Sequence, residues 1–201
     1  MKLGTRSAVS LSDDWATEQW LFDYLDALYG PFQVDTAASR WNTKCALFFT
    51  ERQDALKQRW PKYSFTNCPY SAGNKLRFTR HGRLHVKEGS GLLSCHVLPH
   101  DTSDGYWRTQ VRAAAGELLG VTAHRSQLGW VTQTCWKELT VEVTEIDGRL
   151  HFTERTGATG TARHSSAIVV FARPGLLEPL EWNSPRSRIP TYRPSRRLEA
   201  A

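Results

Sequence analysis

The first regular pattern along the chain is helical. Trp20, Leu21, Tyr24, Leu25 and Leu28 recur at the spacing of one helix face, Asp13 and Asp14 precede the first turn, and Gly30-Pro31 stops it, which predicts a helix over 16–29. Trp15 lies before that helix and off its apolar stripe. The pattern then shortens. Phe32–Asp35 and Cys45–Thr50 are brief apolar runs, Tyr63 and Phe65 lead a third, and Leu92–Leu98 is apolar almost without a break, as in a strand covered on both faces. Residues 103–119 return to helical spacing, with Tyr106, Trp107, Val111, Ala114, Ala115 and Leu118 on the apolar side. Lys137–Ile146 alternates, with Leu139, Val141 and Val143 on one face. Asp147-Gly148 is a hairpin signal and Arg149–Thr153 the returning strand. Thr156–Ala162, rich in Gly and Thr, predicts a mobile loop, and Ser165–Phe171 a strand at an antiparallel sheet edge.

Helices alternating with short strands predict an α/β domain. It is expected over residues 13–173, after a loose polar N-terminus (1–12). From Pro174 the composition changes. Pro174, Pro179, Pro185, Pro190 and Pro194 break any regular element, and Arg186, Arg188, Arg193, Arg196 and Arg197 cluster, so 174–201 reads as a basic tail.

Charge narrows the partner. With 26 Lys and Arg against 20 Asp and Glu the net charge is +6, which suits a polyanion. The segment 73–90 concentrates it: Lys75, Arg77, Arg80, Arg83 and Lys87 stand against Glu88 alone. That is either a phosphate-tracking stretch or a solvated helix face. No apolar run approaches the roughly 20 residues of a membrane span, and no apolar signal region follows Met1, so no membrane role and a cytoplasmic location are expected. Cys45, Cys68, Cys95 and Cys135 form no CxxC pair and read as reduced thiols. Cys95-His96 with His100, and His81 with His85, fit no common zinc spacing, so no metal is expected.

The stretch that carries chemistry is Asn67-Cys68-Pro69-Tyr70, directly after the run at Phe65. The exocyclic amine of a base has two N–H donors. The Asn67 side-chain oxygen can accept one and the Cys68 carbonyl the other. Pro69 stiffens the turn, and Tyr70 offers a ring for a base swung out of its helix. Such a set accepts adenine N6 or cytosine N4 alike.

The motif does not stand alone. Asp14-Trp15-Ala16-Thr17, Leu21-Phe22, Phe32–Ser39, Phe48-Phe49-Thr50, Asp54-Ala55-Leu56, Trp60 and Asn67–Ser71 occur in that order. Leu98-Pro99, Thr102, Trp107, Gly148–Phe152 and Ser165–Phe171 follow. This series resembles the phage-type DNA N6-adenine methyltransferases, densely over 13–72 and loosely over 92–173.

The resemblance implies a Rossmann-like fold dependent on S-adenosylmethionine, with a mostly parallel sheet and an antiparallel edge hairpin. It also implies methylation of N6 on a flipped adenine in double-stranded DNA, in the cytoplasm of a bacterial host. Asn67, Cys68, Pro69 and Tyr70 would be catalytic. Trp15, Thr17, Asp35, Ala37 and Asp54 would hold the cofactor. Asp35 would take its ammonium or a hydroxyl, unless it only caps a following helix, and Asp54 would take its adenine. Lys75, Arg77, Arg80 and Arg83 would meet DNA, and His124, Arg125, Trp130 and Trp136 within 122–137 would aid recognition. Where the family usually has Pro, this chain has Cys68. Two alternatives stay open: an amino-methyltransferase acting on cytosine N4 or RNA, and a basic nucleic-acid-binding module on a decayed scaffold.

Overall fold

A computed structural model of the chain describes residues 15–177, apart from 71–72, 102, 113–119, 136–137, 156, 158 and 163–164. Several expectations lie outside the described residues: the loose N-terminus, Asp13 and Asp14, Ser71, Thr102, Trp136, the second half of the 103–119 helix and the tail from 178 on.

The elements in chain order are β1 (Trp15–Thr17), α1 (Gln19–Tyr29), β2 (Val34–Asp35), β3 (Leu47–Phe48), β4 (Tyr63–Thr66), α2 (Asn74–Lys87), β5 (Leu93–Pro99), β6 (Gly120–Arg125), β7 (Gly129–Cys135), β8 (Thr140–Ile146), β9 (His151–Glu154), β10 (Thr159–Thr161) and β11 (Ser166–Ala172). A π-helical turn covers Trp107–Arg112.

α1 starts three residues later than the sequence pattern predicts. Trp15–Thr17 is extended because it pairs antiparallel with β9, Thr17 opposite Phe152. The predicted face is the buried one, through Leu21, Phe22, Tyr24, Leu25 and Tyr29. At its end the Gly30 N–H donates to the Asp26 carbonyl at 2.9 Å.

Eight strands form one mixed sheet in the order β3-β2-β4-β5-β11-β8-β7-β6, and β1, β9 and β10 form a second, small sheet. The large sheet is not mostly parallel. The three pairings β3-β2, β2-β4 and β4-β5 are parallel, and the four beyond β5 are antiparallel. The cause is β11, which returns to insert between β5 and β8. It is therefore interior rather than at an edge, and all seven of its residues are buried. Its occupation of β8 also overrides the hairpin signal at Asp147-Gly148: β8 stays in the large sheet while β9 pairs with β1 and β10. The antiparallel edge hairpin is β6–β7.

The period-2 alternation of β5 and β11 divides the core in two. Leu93, Cys95, Val97, Ile168 and Val170 pack toward α1. Leu98, Ala167, Val169 and Phe171 pack with Val86 of α2 and with Tyr106 and Trp107. α2 comes close because Gly82 has no side chain. A Cβ there would lie 2.3 Å from His96 Nε2 and 2.6 Å from Ser94 Oγ.

Candidate active site

β3, β2, β4 and β5 run parallel, so their carboxyl ends share one edge of the sheet. The connection after β2 leaves toward β3, and the chain then crosses back to place β4 on the other side of β2. Strand order reverses between β2 and β4, and that is where an open α/β sheet leaves a crevice for a ligand. Asp35 ends β2 and Asn67 follows the last residue of β4. Between them the buried hydroxyls of Thr36 and Thr66 meet at 2.6 Å, and the Thr36 N–H donates to the Phe65 carbonyl at 2.9 Å.

Asp35 is only 3% exposed. Its carboxylate accepts from the Lys44 N–H at 3.1 Å and the Ala37 N–H at 3.4 Å. Loss of solvent outweighs both and lifts its pKa to about 6. No helix follows Asp35. The residues after it form bends and turns, so the carboxylate clasps its own loop instead of capping a helix.

Asn67 is held at both ends. Its Nδ2 donates to Thr17 Oγ1 at 3.0 Å. Its Oδ1 accepts from the Tyr70 hydroxyl at 3.1 Å, and that hydroxyl also lies 3.4 Å from the Val97 carbonyl. Burial raises the Tyr70 phenol well above its ordinary value, so it stays protonated and can donate. Cys68 is 2% exposed and packs into the α2-side core with Leu98 and Tyr106. Pro69 is half-buried.

The structure thus brings Thr17, Asn67 and Tyr70 into contact, with Asp35 one strand away. Trp15 stays on β1, where it packs on the α1-side core and against Gly160 of β10. Ala37 packs on the α2-side core. Asp54 is committed to its own turn. At φ 49° it accepts from the Leu56 N–H at 3.3 Å and pairs with Lys57 at 3.0 Å, and this pairing holds its carboxyl below the usual range.

Segment 73–90 is the helix α2, and its cations divide into two kinds. Arg77 and Arg80 are exposed. Lys75 pairs with Asp104 at 2.7 Å and lies 5.5 Å from the centre of the Tyr106 ring. Arg83 donates from Nε to Gln110 Oε1 at 2.9 Å. Asp104, Tyr106 and Gln110 carried no signal in the sequence as partners of this helix. Trp130, 51% exposed, lies on β7 opposite Glu145 near the same sheet edge. The side chains of His124 and Arg125 lie outside the described ones.

Among the described residues no group of three His, Cys, Asp or Glu side chains is placed to hold a metal ion. His81 stacks 4.4 Å from Trp60, and His85 Nε2 meets the Pro61 carbonyl at 2.9 Å. Among the same residues no helix is long and apolar enough to cross a membrane.

The chain is similar in sequence to known proteins. A DNA N-6-adenine-methyltransferase of Escherichia phage T1 is 29% identical over 122 residues, which cover 60% of this chain and 49% of that protein. A DNA N-6-adenine-methyltransferase of Haemophilus phage HP1 (strain HP1c1) is 38% identical over 71 residues, 33% of this chain and 41% of that protein. The chain spans about half the length of these curated relatives, or less. The family model described as DNA N-6-adenine-methyltransferase (Dam) matches residues 4–197. The match takes in both Asp35 and the Asn67–Tyr70 loop, and the chain belongs to the DNA N-6-adenine-methyltransferase (Dam) family.

Proposed function

We propose that this chain methylates N6 of adenine in double-stranded DNA, using S-adenosylmethionine held at the β2–β4 crevice. The observation that carries this reading is the clamped Asn67 amide at the carboxyl end of β4. Its oxygen has two lone pairs. Tyr70 engages one, and the other remains for an N–H of the target amine. The Cys68 carbonyl serves as the second acceptor. Two fixed acceptors orient the amine nitrogen and stabilise the positive charge it gains during transfer.

The residues of the crevice fit a cationic cofactor. Asp35 is a buried carboxylate lifted to about 6, and an ammonium beside it would favour its charged form. Small residues, Thr36 and Ala37, follow it, as the resemblance implies for a cofactor loop. Trp15 of β1 and Asp54, in a turn of the chain after β3, would border the same ligand, as the family resemblance implies. When bound, the cofactor supplies a methyl group already activated on a sulfonium. The protein then has to bind, orient and exclude water. A proton can leave the amine after transfer, so no side-chain base is required for the step itself.

The target base has to leave the duplex to reach Asn67. Arg77 and Arg80, exposed cations of α2, would meet phosphates, and the Arg-rich tail is a second candidate. In this reading residues 13–173 are the methyltransferase domain, 174–201 a basic extension, and the site of action the cytoplasm of a bacterial host. The test is incubation of the intact chain with labelled cofactor and plasmid DNA, followed by nucleoside analysis. N6-methyladenine is the expected product. N4-methylcytosine would move the substrate to the other exocyclic amine, and DNA binding without any labelled base would identify a binding module.

A further inference from the structure

We propose that Thr17 is a positioning residue that aims the Asn67 amide, an inference that rests on reading Asn67 as the acceptor for the target amine. An Asn side chain has nearly the same shape after a half-turn about its terminal torsion, but its hydrogen-bonding ends exchange. A turned amide would present donors to the donors of the target amine. Thr17 and Tyr70 are hydroxyl partners that can each donate or accept, so what they fix from the two ends is the place and plane of the amide, and in the orientation seen here Oδ1 is the end that faces Tyr70 and accepts.

At one end Tyr70 donates to Oδ1. Tyr70 alone leaves some latitude, because its hydroxyl also lies 3.4 Å from the Val97 carbonyl and has two acceptors in reach. At the other end Thr17 Oγ1 receives the Nδ2 hydrogen at 3.0 Å. Thr17 is 4% exposed, so an amide that swings away from it finds little water to bond in its place.

The position of Thr17 is set by the small sheet. Its backbone pairs with Phe152, and Trp15, two residues earlier, lies against Gly160. Strands some 135 residues further along the chain thus fix the rotamer at the catalytic loop (Phe152 minus Thr17 is 135 positions). Thr17 acts through Asn67, in place of the cofactor contact the sequence suggests.

The test compares Thr17→Val, which keeps the β-branched shape and removes the acceptor, with Thr17→Ser, which keeps the hydroxyl. Misplaced catalytic groups lose rate, so kcat of Thr17→Val should fall about tenfold or more, with calorimetric affinity for S-adenosylmethionine within about twofold of wild type. Thr17→Ser should recover most of the rate. In an Asn67→Ala background Thr17→Val should change kcat no further, because the two residues act as one unit. If Thr17→Val does not fold, Thr17→Ala is read in the same way. Unchanged kcat in the hydroxyl-free variant overturns the inference, as does lost cofactor affinity with normal kcat at saturation. The intact protein's own turnover separates the two claims: if it makes no N6-methyladenine, the reading of the site fails and this inference with it.

Discussion

Thr36 and Thr66 share a hydrogen bond of 2.6 Å between buried hydroxyls, and this bond ties together the ends of the two strands between which the sheet reverses its order. Asp35 lies one residue before the first and Asn67 one residue after the second. The spacing of Asp35 and Asn67 is thereby held by two strand ends tied to each other. A short bond between two neutral hydroxyls in a dry setting is worth about 1 kcal/mol, and leaving one partner unmatched costs about 1–3 kcal/mol. Thr66→Val should therefore lower stability by that amount and weaken turnover. A thermal melt and a rate measurement on the same sample check both.

Asp35 gives two pH effects of opposite sign. Its carboxyl titrates near 6 in the folded chain and at about 3.9 in an unfolded one. The folded state thus holds the proton more tightly. The stability that follows is fully present below about pH 4 and is lost as pH rises through about 6, a contribution on the order of 3 kcal/mol. Asp35→Asn should flatten that part of the stability–pH curve. Cofactor affinity should do the reverse and rise between about pH 5 and 7, because a cationic ligand prefers the ionised carboxylate. Urea titrations and calorimetry at several pH values check both slopes. An identical stability curve in Asp35→Asn would assign the dependence to other groups.

Much of the architecture could be read from the chain. The face of α1, the buried double-sided run of β5 and the strand before Asn67 are local patterns, and all three are seen. What is not legible depends on partners distant in sequence. Nothing local in Trp15–Thr17 marks it as the mate of β9, and nothing in Ser166–Ala172 says that it will enter the middle of a sheet. Asp147-Gly148 is a local hairpin signal, but no hairpin forms there, because its two flanking strands belong to different sheets. At the site the pattern Asn67–Tyr70 was legible as a motif. Its clamp was not, because Thr17 and Val97 reach it from 50 and 27 residues away.

The cations of α2 should behave differently from one another. Each phosphate contact contributes about −0.9 to the slope of log affinity against log salt. Arg77→Ala and Arg80→Ala should each flatten the slope by up to that amount. Arg83→Ala and Lys75→Ala should instead act on the contacts with Gln110 and Asp104, and so on stability. DNA binding measured at four or five salt concentrations separates the pairs. Equal flattening by all four would mean that the intramolecular contacts open when DNA binds.

Gly82 should tolerate no side chain. The atoms an alanine Cβ would meet belong to His96 and Ser94, both fully buried, so neither can swing aside. Gly82→Ala should cost about 1–3 kcal/mol of stability through overpacking. A denaturant melt unchanged by the substitution would show that α2 can lift from the sheet without penalty.

Cys68 sits in the core at 2% exposure, so its thiol fills space beside Leu98 and Tyr106. The proposed role belongs to its carbonyl, which any residue supplies. Cys68→Ala should lower the melting temperature modestly and keep turnover within about tenfold, the loss expected for looser positioning rather than for a missing group. Lost turnover with fold and cofactor binding intact would give the thiol a chemical role.

The most direct test is single-turnover methyl transfer to plasmid DNA by the intact chain and by Asn67→Ala, with cofactor affinity measured on both. The intact chain should form N6-methyladenine. Asn67→Ala should bind S-adenosylmethionine as tightly and transfer about 10²-fold more slowly, the scale for losing one preorganised polar group. Near-normal transfer by Asn67→Ala would contradict the placement of the target amine at Asn67.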